Sequence, residues 1–199
     1  MQASDLTSAL AALHATDKTV LVAIDGAGGS GKSALAESLW TRLNAFGVPA
    51  AVVHVDDFYL PSARRPRGGP SEMPIGGNFD WPRLREQVLD PLRRGETARY
   101  DRYDWLEDDL ANAHQVLPGR VVIVEGIYSS RRELAPLYDM RVWVDCPREL
   151  RLSRGLKRDG EAARGRWEDD WMPCEDRYIR EHRPQEYADA IVNGATGLT

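Results

Sequence analysis

The stretch Gly26-Ala27-Gly28-Gly29-Ser30-Gly31-Lys32-Ser33 has the residue types and spacing of a phosphate-binding loop, G-x-x-x-x-G-K-[ST]. Its glycines allow the positive φ and the close approach that a loop wrapped around a phosphate requires. Its backbone N–H groups, together with the positive end of a helix beginning near Ala34, would form a concave anion site. Lys32 would bring a cation to the β- and γ-phosphates, and the Ser33 hydroxyl would ligate Mg²⁺. The pattern is that of a nucleoside triphosphate site. Acids follow at the ends of two later apolar runs, Asp56-Asp57 after 50–55 and Glu125 after 121–124. A carboxylate at a strand end can ligate Mg²⁺ or take the proton of an attacking hydroxyl.

These groups need a scaffold, and the hydrophobic pattern supplies one. Residues 20–25 are an apolar, β-branched run entering the glycine loop, and 33–46 follow with Leu35, Leu39 and Leu43 at helical spacing before Gly47. A short amphipathic helix is expected over 4–14. Further strands are expected at 50–55, 121–124, 141–144 and 190–192. Helices are expected from Asp80, as N-cap, to Gly95, from Pro147 through Arg158, and over 171–181. Residues 61–78, rich in Pro, Gly and Arg, read as a long loop of the kind that covers or forms a site. Residues 100–105 are short and aromatic, and 159–170, charged and containing two glycines, read as a mobile flap. Strands alternating with helices predict a parallel sheet covered on both faces, with right-handed crossovers.

A chain of 199 residues is expected to form a single domain, 1–199. Its 42% apolar and 29% charged residues are those of an ordinary globular protein. The net charge of −5 argues against a nucleic-acid surface, which must be basic. A local cluster, Arg151, Arg154, Lys157 and Arg158, suits a small polyphosphate instead. Two cysteines, Cys146 and Cys174, lack metal-ligand spacing and predict reduced thiols. No run reaches the length of a membrane span, and the N-terminal residues lack the pattern of a secretory signal, so a cytoplasmic protein without a membrane partner is expected.

Several segments together resemble the uridine kinase branch of the P-loop kinases, which also includes phosphoribulokinase and bacterial pantothenate kinase. They are Gly26–Ser33, Asp56-Asp-Phe-Tyr59, Asn78-Phe-Asp80, Tyr103-Asp-Trp105, Val122-Ile-Val-Glu-Gly126, Asp145 through Arg151-Leu-Ser-Arg154 to Arg158-Asp159, Arg164-Gly-Arg166 and Tyr187-Ala-Asp189. The resemblance implies a P-loop NTPase three-layer sandwich, a parallel β-sheet flanked by helices with a short flap. It also implies transfer of the γ-phosphoryl group of ATP to a hydroxyl, the 5′-hydroxyl for a nucleoside such as uridine or cytidine. Carried over, Asp56 resembles the carboxylate at the acceptor hydroxyl, while Ser33, Glu125 and Asp56 resemble the Mg²⁺ surroundings. Tyr59, Asp80, Tyr103 and Arg151 resemble acceptor-pocket residues. Lys32 and Arg154 resemble the cations at the transferring phosphate, and Arg158 a nucleotide contact. A homo-oligomer is compatible with the family.

Two departures stand out. After Tyr103-Asp-Trp105 the uridine-specific members carry a histidine and an arginine, whereas this chain reads Leu106-Glu-Asp-Asp-Leu110. A pocket without that base-reading donor would lose selectivity or take another acceptor, such as pantothenate, a sugar phosphate or glycerate. The tandem acid Asp56-Asp57 also replaces the usual acid-serine pair and leaves open which acid faces the acceptor. A nucleotide-dependent switch or ATPase is the reading from a different class.

Overall fold

The apolar runs pair side by side in the computed structural model, which describes residues 2–15 and 18–196. The remaining residues, Met1, Thr16, Asp17 and 197–199, fall within the single-domain expectation but lie outside the described residues. Seven strands form among the described residues: β1 (Val20–Asp25), β2 (Ala50–His54), β3 (Ala98–Asp104), β4 (Asp109–Val116), β5 (Val121–Glu125), β6 (Met140–Asp145) and β7 (Ala190–Asn193). Five lie in one parallel sheet of order β2-β5-β1-β6-β7, as the alternation of strands and helices predicts. β1 and β5 are buried along their whole length, which is why they read as continuous apolar runs.

Side chains alternate between the two faces of the sheet. Val22 and Ile24 of β1 pack with Ile123 and Val142 under α1 (Ala3–His14) and α2 (Lys32–Ala45), whose Leu6, Leu10, Leu35, Leu39 and Leu43 are fully buried. Leu21 and Ala23 face the other way, onto Val122 and Val124 and the Leu84, Val88 and Leu92 stripe of the helix at 81–93. Helices on both faces of a parallel sheet make the expected three-layer sandwich.

Two helices contain wide turns, and each has a proline behind it. The helix at 81–93 passes through a π-turn at Arg85–Leu89 just before Pro91, and the one at 164–182 through a π-turn at Trp167–Trp171 just before Pro173. Proline has no N–H and its ring crowds the carbonyl four residues back, so the backbone widens there. Residues 159–170, expected as a flap, are laid out as successive helical turns that run into Met172–His182, and Trp167 is buried.

The aromatic stretch at 100–105 is half of an antiparallel hairpin, β3–β4, that sequence reasoning did not anticipate. Its turn has no glycine; Asp104 Oδ1 instead accepts the N–H groups of Leu106 at 2.8 Å and Glu107 at 3.2 Å. Arg83 ties the hairpin to the body, donating to the carbonyls of Asp101 at 2.6 Å and Asp57 at 3.1 Å.

Candidate active site

The carboxyl ends of β1, β2 and β5 converge on a cavity of about 1100 Å³. Gly28, Gly29, Gly31, Lys32, Ser33 and Ala34 form one end of it. Gly31 stands at the start of α2 with φ 101°, and Gly29 has φ 75°, conformations that side chains avoid. A Cβ on Gly28 would lie 2.7 Å from Glu175 Oε1, so this glycine is required for close approach. Gly26, Ala27 and Ser30 sit behind the loop, outside the cavity lining; Ala27 accepts a 3.0 Å hydrogen bond from Lys32 Nζ.

Ser33 Oγ donates to Glu125 Oε2 at 3.2 Å, and His54 Nδ1 lies 2.6 Å from Glu125 Oε1. Both carboxylate oxygens are thus oriented, and the hydrogen bond to Glu125 raises the His54 pKa despite burial. Asp56 opens into the same space. Burial raises its carboxyl above the ordinary range, the neighbouring Glu125 adds to this, and Lys32 opposes it. Asp57 points away: it is buried, with Arg102 Nε at 2.8 Å and the Tyr100 hydroxyl at 3.2 Å. The 3₁₀ turn Val55–Phe58 that ends β2 sends these consecutive acids in opposite directions. Ser33, Glu125 and Asp56 present only oxygen ligands, the type a hard cation such as Mg²⁺ takes, so the residues present fit that ion.

Far from the loop the cavity wall becomes aromatic. Tyr59 meets Phe79 edge-on at 5.0 Å and Trp105 at 4.9 Å, and Phe79 meets Tyr128 at 5.5 Å. Arg65 lies over the Tyr59 ring at 4.5 Å. Arg154 and Arg158 line the cavity near the phosphate loop, where Arg154 donates to the carbonyls of Gly194 at 3.0 Å and Gly29 at 3.4 Å.

Three expected acceptor residues fall outside the lining. Asp80 caps its helix, accepting from the Arg83 N–H at 3.2 Å. Tyr103 turns its hydroxyl to Asp108 at 2.5 Å and backs Tyr59 from behind. Arg151 is buried against Glu175 at 3.2 Å. Each has a protein partner for its polar group, and Asp80 takes the N-cap role that the sequence also predicted.

Sequence reasoning missed Asp25 and Glu175. Asp25 is fully buried and accepts from the Gly26 N–H at 2.7 Å, the Ser130 N–H at 2.9 Å and hydroxyl at 2.6 Å, and the Tyr178 hydroxyl at 2.6 Å. Glu175 accepts from the Gly28 N–H at 3.0 Å. Burial raises the pKa of both, against those hydrogen bonds in Asp25 and chiefly against the Lys32 charge in Glu175. A charged residue inside the apolar β1 run was the available signal for Asp25. Glu175 gave none, since it stands among other acids on a helix.

The sequence profile of the phosphoribulokinase/uridine kinase family matches residues 21–193. A uridine kinase of Macrococcus caseolyticus is 29% identical over 191 residues, covering 88% of each chain. Among solved structures, a possible uridine kinase from Bacillus stearothermophilus superposes with a TM-score of 0.69 at 23% identity, covering 94% of this chain and 98% of that one. A provisionally assigned fructose transport system kinase from Silicibacter sp. TM1040 gives 0.71 at 26% identity, covering 96% and 98%.

Proposed function

The chain belongs to the phosphoribulokinase/uridine kinase family and is a phosphotransferase acting on a hydroxyl group; from that premise we propose that it transfers the γ-phosphoryl group of ATP, with Mg²⁺, to the 5′-hydroxyl of uridine or cytidine. One observation carries the proposal: Asp56, the phosphate loop and an aromatic wall share a single cavity. The triphosphate lies along the loop 26–33 and the acceptor lies against Tyr59, Phe79 and Trp105, whose rings suit a planar base. Asp56 holds the acceptor hydroxyl in line and takes its proton as the new O–P bond forms and the bond from the γ-phosphorus to ADP breaks. Lys32 and Arg154 offset charge on the phosphate oxygens. Bound Mg²⁺, held by Ser33 and Glu125, would neutralise further charge on those oxygens.

A second reading keeps the reaction and changes the acceptor to pantothenate, a sugar phosphate or glycerate. It is favoured by the hairpin, whose His114 stacks on Tyr100 at 5.8 Å, outside the cavity lining. Mg-ATP consumption measured with uridine, cytidine, adenosine, pantothenate, glycerate, ribulose 5-phosphate and no acceptor separates the readings. Turnover with uridine or cytidine supports the first. Turnover only with another compound replaces the acceptor. Hydrolysis unaltered by any of them points to an ATPase or switch. Residues 159–170 are proposed to close over bound ATP; equal protease sensitivity there with and without an ATP analogue would reject that closure.

A further inference from the structure

One helix touches both ends of the cavity. From Met172–His182, Glu175 reaches the Gly28 N–H of the phosphate loop and the Tyr178 hydroxyl reaches Asp25 beneath it, at 3.0 and 2.6 Å. Between them in sequence, Arg177 points elsewhere. Its NH1 lies 2.6 Å from the Met73 carbonyl and 3.2 Å from those of Pro70 and Ser71, while its Nε meets Glu181 at 2.9 Å. Three carbonyls of the 61–78 loop therefore converge on one guanidinium.

That loop supplies much of the cavity wall, including Met73, Ile75 and Asn78. It has no helix or strand beyond a short 3₁₀ turn, Ser62–Arg64, and the backbone hydrogen bonds of its far part, from Glu72 and Met73 to Gly69 and from Gly77 to Pro74, close local turns and do not tie it to the body. Its second anchor is another arginine: Arg131 donates to the Ile75 carbonyl at 3.3 Å and stacks on Trp81 at 4.4 Å. An arginine fork suits such a task, because its donors have a fixed geometry and its charge is permanent.

We infer that Arg177 is a positioning residue that holds the 61–78 loop as the acceptor-side wall of the cavity, in register with the phosphate loop through the helix that carries both Arg177 and Glu175. The kinetic side of this inference rests on the reading of that cavity as the acceptor site; the structural side does not. Removing the guanidinium frees the wall but leaves Glu175 and Tyr178 in place on the phosphate side. The effect falls on the acceptor and spares ATP.

The test compares the full chain with its Arg177→Ala and Arg177→Lys variants. In Arg177→Ala, trypsin cleaves after the exposed Arg67 at least fivefold faster. KM for the acceptor rises at least tenfold, and KM and Kd for ATP stay within twofold. Arg177→Lys, which keeps the charge and fewer directed donors, falls between. Unchanged cleavage at Arg67 overturns the inference, and so does an ATP KM that rises as much as the acceptor KM, since the helix itself would then have moved. If no acceptor is turned over by the unaltered protein, the function proposed above fails, and the cleavage rate alone decides the role of Arg177.

Discussion

Two adjacent aspartates do different work, and the difference is one of surroundings. Asp56 faces the cavity beside Lys32 and Glu125, whereas Asp57 is buried against Arg102 and Tyr100. Asp56→Asn is expected to lower kcat by roughly 10²–10⁴-fold with thermal stability unchanged, because it removes a base without removing volume. Asp57→Asn is expected to act on stability, lowering it by about 1–2 kcal/mol as a buried charge-assisted contact is lost. Steady-state kinetics and thermal melts on the two variants check the pair; the opposite pattern would exchange their roles. Cys174, which lines the cavity, carries a thiol pushed up to about 11, chiefly by burial and then by Asp170. Iodoacetamide should therefore modify it on the order of a hundredfold more slowly at pH 7 than an ordinary thiol, and faster as pH approaches 11. Mass spectrometry of the alkylated protein follows this directly.

Among the elements, the β3–β4 hairpin stands outside the main sheet: its base buries Ala98, Tyr100 and Val116 in the core, and its tip is held by polar ties. Asp108 at its turn accepts from the Ser62 N–H and hydroxyl and from the Tyr103 hydroxyl, and pairs with Arg65 at 3.0 Å. The Ser62 hydroxyl bond is the largest cause holding the Asp108 carboxyl down at about 2, from an ordinary value of 3.8. A depressed acid contributes stability above its unfolded pKa and loses it as pH falls through the folded one. Fluorescence of Trp105 is therefore expected to change as pH drops from about 4 toward 2, and Asp108→Asn should remove that transition. A Trp105 signal flat across this range, in protein still folded, would show that the tie does not hold the hairpin tip.

At the scale of the molecule, the helix at 164–182 joins the arginine-rich helix Arg148–Asp159 to the phosphate loop through Trp167. That side chain is 1% exposed, donates from Nε1 to Asp159 at 2.9 Å, and packs against Gly28 and Gly155, where a Cβ would collide with it. Trp167→Ala should cost about 3–5 kcal/mol and lower the melting temperature by roughly 10 °C, as expected for a large buried aromatic. A melting point within a degree or two of the unaltered protein would mean that the joint carries no such load.

Most of the architecture was readable from residue order alone. The five parallel strands were visible because each carries a short apolar, β-branched run; β1 and β5, buried on both faces, are apolar nearly throughout, and 20–25 was read to the residue. The phosphate loop was visible because its glycines, Lys32 and Ser33 are demanded by local backbone geometry. The hairpin was hidden, because β4 is half exposed and its turn is closed by Asp104 in place of glycine. The helical path of 159–170 was hidden too, since its polar surface gives no stripe and its one anchor, Trp167, inserts against distant glycines. Local chemistry thus determined the nucleotide end of this protein from sequence. Asp80 and Tyr103 turn to partners three and five residues along the chain, Arg83 and Asp108. Tertiary packing alone decided which acid faces the cavity, that Arg151 turns to Glu175, and that Tyr178 meets Asp25, Glu175 meets Gly28 and Arg177 meets the 61–78 loop, because each of these depends on a neighbour that chain order does not place beside it.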